Sequence, residues 1–215
     1  MQLFSILKFK TTVISLLTFL VFSTQDQNSR KRIVFFGDSI TAGYQLTLQD
    51  AFPALIQQRL DSLNFNYEVV NAGLSGDAST GGLDRLNWVI SQPVDIFVLE
   101  LGGNDGLRGL GLEQTEKNLK AIIDGVRAKY KDATIILAGM QIPPNLGTDY
   151  TKAFKEMFPR IAKEKSVDLI PFLLDNVGGV KDLNLNDGIH PNEKGHTIVA
   201  ETVWKYLKKH LKSTP

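Results

Sequence analysis

Apolar residues along this chain follow two rhythms. Runs dense in Val, Ile, Leu and Phe occupy positions 32–37, 67–71, 96–101, 134–139 and 167–170, and several are apolar without a break. Such runs are what a parallel strand shows when helices cover both of its faces. Between them, at 49–64, 81–91, 113–129 and 151–165, the pattern is helical. A last helix is predicted over 193–212, where Val199, Ala200, Val203, Leu207 and Leu211 stand at core-facing spacing. Alternation of strand and helix predicts an α/β three-layer sandwich with right-handed crossovers. In such a sheet ligands bind outside the carboxyl ends of the strands. Ser39, Gly73 and Asn104 each come just after a predicted strand, so one edge of the sheet should collect all three.

The first segment breaks this alternation. Lys8 and Lys10 precede an acid-free apolar stretch from Thr11 to Phe22, with Val21-Phe22-Ser23 as a cleavage site. A basic start, a short apolar stretch and small residues read as a secretory signal peptide, residues 1–23. The stretch falls short of the ~20 residues a spanning helix prefers, so no stable membrane span is expected in the mature form. Residues 24–31 read as a flexible polar leader and 32–212 as a single folded domain, exported to the periplasm or secreted.

Composition narrows the chemistry. The chain has 215 residues, 43% hydrophobic and 22% charged, which suits one domain with a substantial core. Its 24 basic and 23 acidic side chains nearly balance, and loss of residues 1–23 leaves 22 against 23. A near-neutral chain carries no electrostatic footprint for nucleic acid, and none is expected as a partner. With no cysteine, a disulfide framework, a thiol nucleophile and a Cys-based metal site are excluded. His196 and His210 fall among polar residues of the last helix and read as surface or partly buried, not as metal ligands. No metal or other cofactor is expected.

Four short segments carry the candidate chemistry. Ser39 ends the run Ile33-Val34-Phe35-Phe36-Gly37-Asp38-Ser39, where Gly37 allows a sharp exit from the strand. A serine there is a candidate nucleophile whose own N–H can face a developing oxyanion. Asn71-Ala72-Gly73 offers a second backbone N–H, and Gly102-Gly103-Asn104 a side-chain amide donor. Asp187-Gly188-Ile189-His190-Pro191 supplies a base and, three residues earlier, a carboxylate to orient it, with Pro191 suited to the first turn of the last helix. Each segment alone has the composition of an ordinary turn. Together they hold every group that acyl transfer through a serine requires. The serine does not sit in a G-x-S-x-G elbow, because Thr41 occupies the second glycine position.

These blocks resemble the SGNH or GDSL hydrolases, whose Ser, Gly, Asn and His correspond to Ser39, Gly73, Asn104 and His190, with Asp187 as orienting acid. The segments from Phe36 to Tyr44 and from Glu100 to Gly109, with Met140-Gln141-Ile142-Pro143-Pro144-Asn145, resemble the bacterial periplasmic branch of acyl-CoA thioesterases, lysophospholipases and arylesterases. The resemblance spans about residues 32 to 210. It implies a flavodoxin-like five-stranded parallel sheet of order 2-1-3-4-5 and cofactor-free hydrolysis of small-molecule esters or thioesters, lysophospholipids among them; a monomer is expected. It also implies an adaptable substrate groove, whose acyl wall is assigned to the residues after Asn104 and to Ile142 and Pro143. A carbohydrate O-acetylesterase with the same catalytic residues is the alternative, and an inactive tethered binding module a more distant one. Ala78-Ser79-Thr80-Gly81-Gly82 departs from the branch, and its two glycines are expected to loosen the loop beside Gly73.

Overall fold

A computed structural model describes residues 30–212, so the signal segment 1–23 and leader residues 24–29 lie outside the described residues. The elements run β1 (Lys31–Gly37), α1 (Ser39–Ala42), α2 (Phe52–Ser62), β2 (Tyr67–Gly73), α3 (Ser79–Val89), β3 (Ile96–Glu100), α4 (Gly103–Leu107), α5 (Leu112–Lys129), β4 (Thr134–Ala138), α6 (Thr148–Lys165), β5 (Asp168–Ile170) and α7 (Glu193–Leu207). All five strands are parallel, in the order β2-β1-β3-β4-β5, as the resemblance implied.

The apolar runs form strands because both sheet faces are covered. α2 packs against α7, while α3, α5 and α6 pack together in sequence in the other layer. β3 is buried along its whole length, as are the last five residues of β1. Edge strand β2 is only partly buried, and its sequence is correspondingly more polar. Ile33, Val34, Phe36, Phe97 and Leu99 are inaccessible to solvent, each such side chain contributing roughly 1.5–3 kcal/mol of hydrophobic stabilisation. Among the described residues no helix is long and apolar enough to cross a membrane.

Two differences from the sequence reading have clear causes. The last helix gives way at Lys208–His210 to a tighter 3-10 turn, where His210 pairs with Asp168 of β5. Gly81 and Gly82, expected to loosen the loop beside Gly73, lie inside α3, within the predicted 81–91 helix. A side chain on Gly82 would come within 2.3 Å of Leu101 Cδ1, so the residue permits close helix–sheet packing and does not loosen a loop.

Register sets the functional end of the sheet. Gly37 of β1 lies opposite Gly73 of β2 and opposite Glu100 of β3. Chain exits from three adjacent strands therefore start at one level, which brings the serine, glycine and asparagine segments to one edge.

Candidate active site

Ser39 opens α1, a four-residue helix entered by a sharp turn. Gly37 does not need an unusual φ here. It is required for space, because a Cβ would lie 2.1 Å from Thr41 Oγ1 and 2.4 Å from Glu100 Oε2. Asp38 caps the turn, with Oδ1 accepting the Ile40 N–H at 3.0 Å. Gly43 closes it in the left-handed conformation, and Ser39 keeps 7% of its surface exposed.

His190 comes from a loop held at its base. The Leu185 N–H donates to the His190 carbonyl at 2.8 Å and the Asn192 N–H to the Leu183 carbonyl at 3.0 Å. Asn184 pairs with Pro191 as an isolated bridge, so Pro191 precedes the helix. Asn192 is the residue that caps α7, accepting the Gly195 N–H at 3.1 Å. Within the loop, Asp187 Oδ1 accepts the N–H groups of Ile189 and His190 at 2.9 and 3.0 Å. The other oxygen, Oδ2, is 2.8 Å from His190 Nδ1, and His190 Nε2 is 2.8 Å from Ser39 Oγ. Partial burial of Asp187 acts to raise its pKa, but the two backbone donors and the imidazole outweigh it and hold the carboxyl below its ordinary value. An ionised Asp187 selects the tautomer with hydrogen on Nδ1, which leaves Nε2 as the acceptor for the serine proton. The ring of Tyr44 lies 4.6 Å from the imidazole, centroid to centroid, tilted by 41°.

The two other predicted donors stand at the same edge. Gly73 faces α1 at a distance only glycine permits, since a Cβ would lie 2.2 Å from Ala42 N. Its N–H donates to Asn71 Oδ1 at 3.0 Å. Asn104 lies on α4, and its amide donates to Asp38 Oδ2 at 3.1 Å and to the Asp77 carbonyl at 3.0 Å. Both amide hydrogens are thus engaged, so an incoming oxyanion must share or displace one of these acceptors.

Three supporting acids escaped the sequence reading. Asp38 is 2% exposed, and burial pushes its carboxyl up to about 6 against the Ile40 and Asn104 hydrogen bonds. Glu100, 1% exposed, accepts the Asp38 N–H at 3.1 Å and the Thr41 hydroxyl at 2.7 Å. Burial, reinforced by the neighbouring Asp38, pushes Glu100 well above the usual carboxylate range. The only signal of it in the sequence is an acid interrupting an apolar run, Phe97-Val98-Leu99-Glu100-Leu101. Asp105 is a buried hub: its carboxylate accepts from the Ser79 N–H at 2.8 Å, the Ser79 hydroxyl at 2.5 Å and the Thr115 hydroxyl at 3.1 Å. It ties α4, the helix carrying Asn104, to α3 and α5.

The predicted groove residues divide. Ile142 is 8% exposed and belongs to the core, its Cγ2 within 3.0 Å of where a Cβ on Gly106 would stand, whereas Pro143 is exposed; after Asn104, Asp105 and Gly106 are buried and Leu107 is exposed. An apolar side chain leaving β4 completes the core beneath α4 before the chain reaches the surface. Leu74, Leu107, Leu110 and Leu146 are large apolar residues left exposed in the segments that directly follow β2, β3 and β4. His196 is not a surface residue either: at 1% exposure it accepts the Phe52 N–H on Nδ1 at 3.1 Å, at the start of α2.

The fold and this cluster agree with what the chain is similar to. Residues 35–198 match the GDSL-like Lipase/Acylhydrolase family. Esterase TesA of Pseudomonas aeruginosa is 40% identical over 190 residues, which cover 88% of this chain and 93% of that protein. Thioesterase 1/protease 1/lysophospholipase L1 of Escherichia coli is 38% identical over 191 residues, covering 88% of this chain and 89% of that one. The crystal structure of the psychrotrophic esterase EstA from Pseudoalteromonas sp., inhibited by monoethylphosphonate, superposes with a TM-score of 0.79 at 32% identity, covering 83% of this chain and 97% of that one. With the family match spanning most of its length and relatives aligned almost end to end, this chain belongs to the GDSL-like lipase/acylhydrolase family.

Proposed function

We propose that this protein is a serine hydrolase of carboxylic esters and thioesters that works through an acyl-enzyme. The observation that carries this reading is the unbroken hydrogen-bond chain Asp187–His190–Ser39, with two contacts of 2.8 Å. His190 Nε2 takes the Ser39 proton as Oγ bonds to the acyl carbon, and the carbonyl oxygen gathers negative charge. The N–H groups of Ser39 and Gly73 and the Asn104 amide are assigned to that oxygen. His190 then protonates the leaving alcohol or thiol, and the ester bond breaks. Water repeats the sequence on the acyl-enzyme, with the proton passing back to Ser39 as the carboxylic acid leaves.

The exposed Leu74, Leu107, Leu110 and Leu146, together with Pro143, favour an aliphatic acyl chain over a sugar-borne acetyl group. The names of the relatives, an esterase and a thioesterase/lysophospholipase, support the same substrate class. In this reading residues 1–23 direct export, residues 32–212 act as a monomer, and the enzyme works in the periplasm or outside the cell.

Hydrolysis of p-nitrophenyl esters by wild type and Ser39→Ala tests the chemistry. Loss of turnover in the variant, together with stoichiometric fluorophosphonate labelling of Ser39 in wild type, is the expected result. Equal rates in the two proteins would overturn the proposal. Rates confined to acetyl esters would replace the acyl-chain reading with a carbohydrate O-acetylesterase.

A further inference from the structure

Arg85, on α3, reaches three segments at once. Its Nε donates to Asp77 Oδ2 at 2.7 Å, Nη1 to the Ala72 carbonyl at 2.9 Å and Nη2 to the Gly37 carbonyl at 2.9 Å. The guanidinium carbon lies 4.1 Å from the centroid of the Phe36 ring, and the side chain is 18% exposed. Each partner adjoins one of the assigned oxyanion donors. Gly37 stands two residues before Ser39, and Ala72 immediately precedes Gly73. The Asp77 carbonyl is one of the two acceptors of the Asn104 amide.

We propose that Arg85 is a positioning residue for the oxyanion hole, one planar fork that sets the spacing among the Ser39, Gly73 and Asn104 donors. This rests on the serine hydrolase reading above. Parallel strands share a ladder of hydrogen bonds, but the chains that leave their carboxyl ends do not. Register aligns Gly37 with Gly73 and no further, and Arg85, bound to the carbonyls of the last rungs and to Asp77, ties the ends of β1 and β2 to the loop that follows β2. At that rung the Leu74 N–H donates to the Gly37 carbonyl at 3.0 Å, and Arg85 binds the same oxygen.

The residue type suits the task. A guanidinium is flat and rigid, and its several N–H groups bind separate acceptors in fixed directions. A lysine ammonium on a flexible stem is a point charge. Asp77 compensates the charge, so Arg85 adds little net field at the reacting atoms. The carboxylate reaches it because Gly81 has no side chain: a Cβ there would lie 2.0 Å from Asp77 Oδ1. Arg85 thus acts through the backbone it holds, not on the substrate.

The test compares Arg85→Lys and Arg85→Met with wild type in kcat and KM for p-nitrophenyl butyrate, per active site titrated with a fluorophosphonate. Arg85→Lys keeps the charge opposite Asp77 but cannot span both carbonyls. We expect kcat to fall about tenfold to a hundredfold in Arg85→Lys, and further in Arg85→Met, because small misplacements of catalytic groups carry penalties of that size. KM should stay within about twofold, since ground-state binding is untouched. Affinity for an aryl trifluoromethyl ketone, which forms a tetrahedral oxyanion on the serine, should drop by the same factor as kcat/KM. A role confined to stability would lower the thermal midpoint and leave both quantities per titrated site unchanged, which would overturn the proposal. So would a change in KM alone. If Ser39→Ala is inactive while Arg85→Lys turns over like wild type, the positioning role fails by itself. If Ser39→Ala remains active, the underlying reading fails first.

Discussion

His190 Nε2 lies 2.8 Å from Ser39 Oγ, although 151 residues separate the two along the chain. Each arrives on a short, internally braced segment: Ser39 on a helical turn capped by Asp38, His190 on a loop closed around Asp187. The contact is therefore made between two prepared surfaces and does not depend on long flexible side chains. In the proposed mechanism such preorganisation would let proton transfer begin without rearrangement of the backbone.

Asp187→Asn tests the orienting role proposed for the carboxylate. The asparagine oxygen can still accept the Ile189 and His190 N–H groups, so the loop should keep its shape. Its amide hydrogens, facing Nδ1, would drive the imidazole proton onto Nε2, where it blocks acceptance from Ser39. Turnover should fall by about 10³–10⁴-fold, the size of the same change in a Ser-His-Asp protease, with an unchanged circular dichroism spectrum. A loss below about tenfold would mean that Asp187 does not select the tautomer.

Gly37→Ala tests the space beneath the serine. The added methyl would meet Thr41 Oγ1 at 2.1 Å and Glu100 Oε2 at 2.4 Å, both of which hold the α1 turn. We expect a stability loss of about 1–3 kcal/mol in urea unfolding, as for overpacked cores. Turnover should fall with it, because relief of the clash shifts Ser39. A variant with wild-type stability and turnover would show that the turn can yield.

His196 sets part of the acid sensitivity. Burial lowers its pKa from 6.5 to about 4; Glu193 and Asp50 oppose that shift, and His190 adds to it. Between those values the unfolded chain binds a proton that the folded chain refuses, so stability falls as pH drops through this window. The full effect is about 3 kcal/mol, complete near pH 4 and absent above pH 7. Urea midpoints at pH 7 and pH 4.5 should differ less in His196→Gln than in wild type. Equal pH dependence in both would exclude His196 as a source.

Much of the site was legible because its residues sit where the chain must turn. The apolar runs ended at Gly37, near Gly73 and before Asn104, and parallel topology sends all three ends to one edge. Asp187 and His190 were legible as a pair because three residues of loop suffice for one to reach the other. Glu100 and Arg85 were not. Glu100 is one acid within an apolar stretch, and Arg85 one cation on an amphipathic helix, a position that solvent usually explains. Ile142 looked like part of a groove wall because a chain exit was correctly located, while the direction of one side chain was not.

The hydrophobic pattern by itself determined the α/β class, the five strands and the edge at which chemistry collects, since burial on two sheet faces demands those runs. The identities of Ser39, Asp187 and His190 were likewise written in local sequence. Only the tertiary structure decided which polar groups face one another across the strand ends. Strand register and helix packing assign Glu100 to Thr41, Asp105 to Ser79 and Arg85 to Gly37 and Ala72. Those partners lie 13 to 59 residues apart, and local patterning carries no information about such pairs. Burial favours each pairing, because leaving a buried polar group unmatched costs about 1–3 kcal/mol.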